Sequence, residues 1–410
     1  MLRHMTGGYR LGRRCAETLR CAETLRIAVR SAPVCTSQLA RGSDSRMPDV
    51  LILRLVAVVI GLVVTVATVR SAIRTFILPR GARDGIVTFV FLQFRRLLRV
   101  MAPDSASFER RDRVLAYYAP VGLVVTTGFW IVSVWASYGL MFWATGSPDL
   151  LGGLRESGSS LLTLGFVAPS SGLQSILVFT EATIGLGLVA LLIGYLPTLY
   201  GAFSRRELAV NLLEVRADSP PSAVAMLSRF HRIGVWDQLH EEWRTWERWF
   251  ADLEETHTSI AALAFYRSPQ PDHSWIVAAG TVLDAASLLR SLVDVPRDPQ
   301  ADLAIRAGYV ALRRISDYFR IPYDAHPEAT DPTAVTREMF EAAADELATA
   351  GLQLREDRDA AYRDFNGWRV NYDRPLLALS RLVDAPLARW NGATERGTLP
   401  SRLLNTAPQA

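Results

Sequence analysis

The sequence predicts an all-α integral membrane protein with three transmembrane helices, one re-entrant pore helix and loop, and an all-α cytoplasmic domain. Three long segments are almost wholly apolar, and each reaches the roughly 20 residues that a helix needs to cross a bilayer. A short polar loop lies between the second and the third of these segments. No stretch alternates with a period of two residues, the pattern typical of half-buried strands, so the remaining chain is also predicted to be helical.

The three apolar segments are residues 50–69, 115–145 and 173–203. The first contains Arg54 near its end, where a long side chain can reach the lipid headgroups. The second is rich in aromatic residues, and those near its ends are typical of a membrane–water interface. Three buried helices of a soluble core are a poor alternative, because the segments are too long and lack a polar face. The lipid bilayer is therefore the first predicted partner.

The positions of the arginines predict the orientation. Cytoplasmic loops of membrane proteins carry an excess of basic residues. The loop between the first and second segments contains ten arginines, Arg205 and Arg206 directly follow the third segment, and residues 146–172 contain only Arg155. We therefore expect a multi-pass protein of the cell membrane with a cytoplasmic C-terminal domain and an external loop at 146–172.

The first 46 residues differ from the rest of the chain. They carry nine arginines against three acidic residues, and the hexapeptide Cys-Ala-Glu-Thr-Leu-Arg occurs twice in tandem, at 15–20 and 21–26. They contain no long apolar stretch and so do not read as a secretory signal. We expect a disordered arm and a translation start at Met47, which N-terminal sequencing of the natural product would test. All three cysteines lie in this arm, so no thiolate metal site is expected from residue 47 onward.

Residues 157–169 read Ser-Gly-Ser-Ser-Leu-Leu-Thr-Leu-Gly-Phe-Val-Ala-Pro and lie between the second and third apolar segments. Irregular backbone at membrane depth is tolerated only where protein buries it or where it lines a water-filled path. Pro148 and Asp149 can start a short helix before this loop. A short helix, a Thr-x-Gly-aromatic loop and an apolar helix in this order resemble the pore region of two-span potassium channels, over about residues 114–206.

The resemblance implies a selectivity filter and a permeant ion. The potassium-channel filter reads Thr-Val-Gly-Tyr-Gly, and its carbonyl oxygens replace the hydration shell of the ion. The matching residues are Thr163, Leu164, Gly165, Phe166 and Val167. Val167 departs from the family, because it replaces a glycine with positive φ, a conformation that a β-branched residue resists. One chain supplies one quarter of a filter, so the resemblance implies a homotetramer that passes a monovalent cation such as potassium.

Supporting roles are predicted for residues around the loop. Glu181 is the one carboxylate within the third apolar segment, where an unpaired charge is costly. We expect it to hydrogen-bond to the back of the pore loop, and the alternative is a carboxylate solvated near the external headgroups. The expected hydrogen-bond partners are Ser159, Ser160 and Thr163. The inner-helix hinge and gate are predicted at Gly185, Gly187 and Pro197.

The predicted organisation has five parts. Residues 1–46 form the arm, 47–113 the first transmembrane helix and an interfacial helix, 114–206 the channel-like domain, 207–392 the cytoplasmic helical domain, and 393–410 a polar tail expected to be disordered. The interfacial helix is placed at 86–101, where three arginines follow an apolar stretch. It either lies at the membrane surface, like the slide helix of two-span channels, or packs as a short helix on the cytoplasmic domain.

The cytoplasmic domain offers little chemistry. Its histidines are scattered, and it contains neither a zinc-helix motif nor a phosphate-binding glycine loop. Arginine is mixed with acidic residues throughout, which argues against nucleic-acid binding. Tryptophans at helical spacing predict a buried core, at Trp236, Trp243, Trp246 and Trp249. We therefore expect no enzyme activity, no metal and no cofactor, and an unidentified cytoplasmic partner. The absence of lysine is typical of a GC-rich bacterial genome.

Three functions remain open from the sequence. The first is a tetrameric cation channel. The second is a non-conducting membrane scaffold or sensor that descends from a channel and binds a partner through its cytoplasmic domain, which Val167 favours. The third is a membrane-anchored enzyme or sensor whose soluble site has no recognisable motif, and a cluster of ionisable residues in one cavity of the cytoplasmic domain would favour it.

Overall fold

The computed structural model describes residues 47–78, 84–103, 105–386 and 388–390. Over these ranges the chain is all-helical, which confirms the predicted class, and one isolated antiparallel bridge joins Val293 to Leu354. The predicted arm at 1–46 and the predicted tail at 393–410 lie outside the described residues. The chain up to Leu53 forms a unit of its own, whose described residues begin the first helix, and the contacts reported below belong to the unit from Arg54 onward.

The helices fall into a membrane group and a domain group. The membrane group is α1 (Met47–Phe76), α2 (Gly85–Met101), α3 (Phe108–Leu115), α4 (Tyr118–Thr145), α5 (Leu150–Leu161) and α6 (Gly172–Ala217). The domain group is α7 (Ala223–Arg232), α8 (Leu239–Ser259), α9 (Trp275–Ser291), α10 (Pro299–Phe319), α11 (Arg337–Thr349), α12 (Arg358–Arg369) and α13 (Asp373–Leu382). A short 3₁₀ turn, Ala261–Phe265, follows α8.

Among the described residues, three helical stretches are long and apolar enough to cross a membrane: Val50–Phe76, Phe108–Thr145 and Gly172–Ala217. They contain the three apolar segments predicted from the sequence, so the three predicted membrane-length helices are confirmed, and they support a membrane protein. Many large apolar side chains of α1 and α6 are exposed to the surroundings. Such surfaces are stable in hydrocarbon, where exposed apolar area costs no hydration free energy.

Small and hydroxylated residues join α1 to α4. The hydroxyls of Thr65 and Ser137 share a hydrogen bond of 2.9 Å, and the indole Nε1 of Trp130 donates to the Ser71 hydroxyl at 3.1 Å. A Cβ at Gly61 would lie only 2.7 Å from the carbonyl oxygen of Ser137, so glycine permits the close approach of the two backbones. Small residues at a contact are typical of helix pairs within membranes.

Helix α6 extends beyond the apolar segment that the sequence analysis placed at 173–203. It continues from the expected end at residue 203 to Ala217, so the expected domain boundary at 206 falls inside a continuous helix. Its 46 residues correspond to about 69 Å of helix, more than twice the roughly 30 Å thickness of a hydrocarbon core. Pro197 lies within this helix and does not end it. The last turns of α6 enter the core of the domain group through Val210, Leu213 and Ala217.

The domain group packs around α9, almost every residue of which is buried. The tryptophan prediction is confirmed, because Trp243, Trp246 and Trp249 of α8 are buried in this core and Trp236 packs against it. Trp246 and Trp249 meet edge-on with ring centroids 4.9 Å apart. Aromatic pairs in this geometry contribute free energy beyond the area they bury.

A buried charge cluster lies within the same core. The guanidinium of Arg369 is fully buried and donates to Asp284, to Asp373 Oδ1 at 2.8 Å and to the carbonyl oxygen of Trp390 at 2.8 Å. Tyr372 adds a hydroxyl that donates to Asp284 at 2.9 Å. Burial alone would lower the pKa of Arg369, but the two carboxylates outweigh it and raise that pKa above its usual value. Arg369 therefore stays charged and holds three helices together.

A second buried arginine joins α6 to the domain group. The Arg206 guanidinium donates to the carbonyl oxygens of Leu263 and Tyr266, at 2.8 and 2.7 Å, and pairs with Glu207 at 2.7 Å. His257 lies beside it, with Nε2 3.4 Å from Arg206 Nη1 and Nδ1 2.9 Å from the carbonyl oxygen of Leu253. Burial, together with the charge of Arg206, lowers the pKa of His257 well below its usual value, so the imidazole is neutral and Nε2 accepts from Arg206.

Residues 261–267, which include the two carbonyl acceptors of Arg206, also contact the start of α4. Phe265 meets the Tyr118 ring edge-on, with centroids 5.3 Å apart, and Arg267 pairs with Asp112. Arg111 pairs in turn with Asp384 beyond the end of α13, at 3.2 Å. Helix α2 joins this junction as well, through Arg95 Nη2, which donates to the carbonyl oxygen of Leu382 at 3.0 Å, while its Leu97, Val100 and Met101 stay exposed.

Candidate pore loop

Helix α5 begins where the sequence predicted a short helix. Asp149 caps it, because its Oδ1 accepts a hydrogen bond from the amide of Gly152 at 2.6 Å. A Cβ at Gly153 would lie 2.4 Å from the carbonyl oxygen of Gly139, and a Cβ at Gly139 would lie 2.5 Å from Leu154. Reciprocal glycines therefore let α5 lie directly against α4.

The buried face of α5 is polar. Ser157, Ser159 and Ser160 are all buried, as is Glu156. The Ser160 hydroxyl donates to the carbonyl oxygen of Val178 in α6 at 2.9 Å. Side-chain bonds to backbone carbonyls therefore join α5 to α6, which keeps the short helix in place although its packing surface is small.

Glu181 points into this polar face, and its shortest contact is not with one of the predicted partners. Its Oε1 lies 2.5 Å from the hydroxyl of Ser157, which precedes the expected residues in α5. The same hydroxyl lies 2.8 Å from the carbonyl oxygen of Trp135 and has only one proton to donate. Both contacts are satisfied if a protonated Glu181 donates to Ser157 and Ser157 donates to Trp135. Glu181 is fully buried, which does not fit the alternative of a solvated carboxylate.

The sequence analysis missed a second buried carboxyl group. Glu156 accepts a hydrogen bond from the Ser147 hydroxyl at 2.7 Å, and its other oxygen is buried without a donor among the described residues. The Oε2 atom of Glu181 is likewise buried without a donor among the described residues. The signal was present in the sequence, because Glu156 stands in a short helix between two apolar segments, where each ionisable residue needs a partner.

The loop after α5 turns back on the helix. The amides of Leu164 and Gly165 both point to the carbonyl oxygen of Ser159, at 2.9 and 3.2 Å. Thr163 and Gly165 have φ values of 55° and 69°, in the left-handed region, which is uncommon for a β-branched residue. The first residues of the filter-like sequence therefore close the carboxyl end of α5 as a turn.

Val167 lies outside the left-handed region, so it does not adopt the positive φ that a β-branched residue resists. Its amide donates to the Ser159 hydroxyl at 3.1 Å. Ser159 thus holds both ends of the loop, with its carbonyl oxygen at Gly165 and its hydroxyl at Val167.

The carbonyl groups of this loop are available. The five carbonyl oxygens from Thr163 to Val167 accept no hydrogen bond from any residue that the structure describes. The side chains of Leu162, Leu164 and Phe166 are exposed. The carboxyl end of α5, which carries the negative end of its helix dipole, faces the same loop. A cation is the ligand that such a group of acceptors attracts.

The predicted inner-helix residues take different positions. A Cβ at Gly185 would lie 2.5 Å from the carbonyl oxygen of Leu161, so this glycine admits the end of α5 rather than standing free. A Cβ at Gly187 would meet nothing within 4 Å. The exposed Pro197 lies further along the same continuous helix. The structure brings Gly185 to the loop, and leaves Gly187 and Pro197 on an open face.

Comparison with protein-family models, with curated proteins and with solved structures gives no match to this chain. In the ranges that the structure describes, no group of three or more His, Cys, Asp or Glu side chains could hold a metal ion. The argument for function therefore rests on the geometry of α4, α5, α6 and the loop.

Proposed function

We propose that this protein is one subunit of a tetrameric cation channel of the two-span potassium-channel type, in which α5 is a re-entrant pore helix and residues 163–167 line the pore. The observation that carries the proposal is a group of five consecutive carbonyl oxygens that accept no hydrogen bond from the described residues, at the carboxyl end of a short helix held between two membrane-length helices. Polar backbone of this kind is stable at membrane depth where it lines a water-filled path.

The chemistry favours a weakly hydrated monovalent cation. Carbonyl oxygens replace a hydration shell without adding a formal charge, so ions bind and also leave. The helix dipole adds the equivalent of about half a negative charge at the carboxyl end of α5. Four copies around an axis would supply twenty such oxygens, which is 4 × 5 from the five residues of one chain. Potassium is the expected ion, and Val167 is expected to reduce its selectivity over sodium.

Cation flux into proteoliposomes of the purified full chain tests the proposal. Gly165→Val should reduce potassium flux at least about tenfold, because a β-branched residue is strained at φ of 69° and would add to the strain already present at Thr163. Gly172→Val is the matched control, since a Cβ there meets nothing within 4 Å and the backbone has no positive φ, and it should leave flux unchanged. A stable monomer, or equal flux from both variants, contradicts the channel.

A second function is favoured by a specific observation. The amides at 164 and 165 close the pore helix as a turn, whereas a conducting filter needs an extended backbone whose carbonyl oxygens surround the ion. A tetramer without flux, in which both glycine variants keep the same assembly, would support a non-conducting scaffold or sensor that acts through the helical domain.

A further inference from the structure

Helix α9 begins in the interior of the helical domain, and the donors of its first turn have no acceptor there. The backbone amides of Trp275, Ile276 and Val277 donate to no acceptor among the residues that the structure describes, and all three residues are buried. Ser274 stands at the N-cap position, but its side chain accepts no hydrogen bond from this turn. The first amides of a helix need acceptors from outside the helix, and burial keeps bulk water from supplying them.

A further donor lies at the same helix end. Ser268 is only 9% exposed, and its hydroxyl is buried without a hydrogen-bond partner among the described residues. Ser268, Ser274 and Trp275 line one small cavity. The amides of a first turn point back along the helix axis, so those of α9 point towards the end at which this cavity lies. A buried helix end and an unpartnered hydroxyl in a different segment therefore meet at one place.

The charges around this cavity favour a negative ligand. Among the described residues that line it, Arg267 and His273 are basic and none is acidic. The acidic side chains in the neighbourhood have partners of their own, because Asp112 pairs with Arg267, and Glu214 lies 3.2 Å from His273 Nε2. The amino end of α9 adds the equivalent of about half a positive charge.

The ligand must accept several hydrogen bonds at once. The free groups directed to the cavity are three amides, which can only donate, and the Ser268 hydroxyl. A water molecule has two lone pairs and needs acceptors for its own two protons, so it would leave part of this set unsatisfied. An anion accepts from every donor and is also stabilised by the helix end.

The size of the cavity limits the anion. Its volume is about 20 Å³, which is room for little more than one water molecule. A phosphate group is too large for this space, whereas a single atomic ion fits. Apolar side chains complete the wall, among them Ala264, Phe265 and Pro386. Such walls favour a weakly hydrated ion, because an ion that enters must give up its water.

We propose that the amino end of α9 binds one small monovalent anion, of the size of chloride, through its first-turn amides and the hydroxyl of Ser268. The site requires neither a pore nor a tetramer, so it is independent of the channel proposal. The anion would join residues 264–268, the start of α9 and residues 383–386. The first of these segments contains Tyr266, whose carbonyl oxygen accepts from Arg206 of α6. Occupancy of the site should therefore stabilise the junction between α6 and the helical domain.

Thermal unfolding of the purified full chain in detergent tests the site. Chloride replaces gluconate, an organic anion too large for the cavity, at constant ionic strength. The unfolding midpoint should rise with chloride and then saturate, because a ligand that binds only the folded chain stabilises it by mass action. Ser268→Ala should need at least about tenfold more chloride for the same shift, since one hydrogen bond to the anion is lost. Ser259→Ala, whose exposed hydroxyl donates to Glu255, is the matched control and should respond as the wild type does.

A second variant keeps the proposal falsifiable if Ser268→Ala fails to fold. Ser268→Asp would supply a carboxylate from within the chain in place of the anion. Its midpoint should be the same in chloride and in gluconate, and should lie above that of the wild type in gluconate. If water alone occupies the cavity, the same variant buries an unmatched charge, and a midpoint below the wild type in gluconate overturns the site.

Hydrogen exchange followed by mass spectrometry locates the effect. In chloride, exchange of the full chain should slow in peptides that cover the start of α9, while peptides from α11 should not change. Equal wild-type midpoints in chloride and gluconate overturn the proposal. An equal chloride response of Ser268→Ala and the wild type places the ion elsewhere and also overturns it. Stabilisation by phosphate but not by chloride would show a site for a larger oxyanion and would overturn the small-anion site as well.

Discussion

The helical domain and the region around α5 are both built from helices, but they differ in how completely the chain covers their apolar surfaces. In the domain, α9 is surrounded on all sides, and its charged groups find partners within one chain. In the pore region, α5 is held mainly by serine hydroxyls and glycines, and the outer faces of α1 and α6 stay exposed. The helical domain is therefore packed within a single chain, whereas α1 and α6 leave apolar faces uncovered, which in the proposed channel would meet lipid and further subunits. Stability and assembly should be separable by mutation.

The largest expected effect lies in the domain, at Arg369. Arg369→Met leaves Asp284 and Asp373 buried without a cation, and removal of one partner from a buried ion pair costs about 3–5 kcal/mol. Thermal unfolding followed by circular dichroism should show a large loss of domain stability. Arg363→Met is the matched control on the exposed face of α12 and should change little. Equal midpoints for the two variants would show that the cluster does not support the domain.

A smaller effect is expected where α5 ends against α6. Gly185→Ala places a Cβ 2.5 Å from the backbone oxygen of Leu161, and overpacking of this kind costs about 1–3 kcal/mol. The loop should shift, so cation flux should fall while the domain keeps its unfolding midpoint. Gly128→Ala is the control, since a Cβ there meets nothing within 4 Å. If Gly185→Ala lowered the domain midpoint instead, the two regions would not be independent.

The smallest expected effect concerns the hydrogen bonds that join Glu181, Ser157 and the carbonyl oxygen of Trp135 behind the loop. Ser157→Ala removes the group between Glu181 and the carbonyl oxygen of Trp135, and leaving buried polar groups without partners costs about 1–3 kcal/mol. Glu181→Gln should be nearly neutral, because an amide can donate to Ser157 as a protonated carboxyl does. Thermal stability in detergent measures both. A Glu181→Gln variant as unstable as Ser157→Ala would show that Glu181 is ionised.

The coarse fold could be predicted because hydrophobic length and helical period are local properties of the sequence. The start of α5 at Asp149 was also predictable, since a cap acts over three residues. The contact between Glu181 and Ser157 was not, because the choice among the serines depends on the rotation of α5 about its axis, which is set by Gly139 and Gly153 on the neighbouring backbones. A small rotation of α5 would change which serine hydroxyl reaches Glu181.

The continuation of α6 beyond residue 203 was not predictable for a different reason. Ser204-Arg205-Arg206-Glu207 has the charge typical of a helix leaving the membrane, yet Arg206 is buried by carbonyl oxygens that come from residues 263 and 266. Those acceptors are remote in sequence, so no local pattern indicates them. The turn at Thr163 also depends on where α5 stops, because only there is the carbonyl oxygen of Ser159 free to accept from the loop.

Helix α6 runs without a linker from its apolar part into the helical domain, so the rotation of one part about the helix axis is coupled to that of the other. One residue inserted between Phe203 and Arg206 would rotate everything beyond it by about 100° and advance it by about 1.5 Å, since a helix has 3.6 residues per turn. Seven inserted residues would nearly restore the rotation and displace the domain by about 10 Å. In a chimaera that joins this domain to another membrane helix, the number of residues at the junction therefore matters chiefly because it sets the rotation of the domain about the helix axis. The added length matters less.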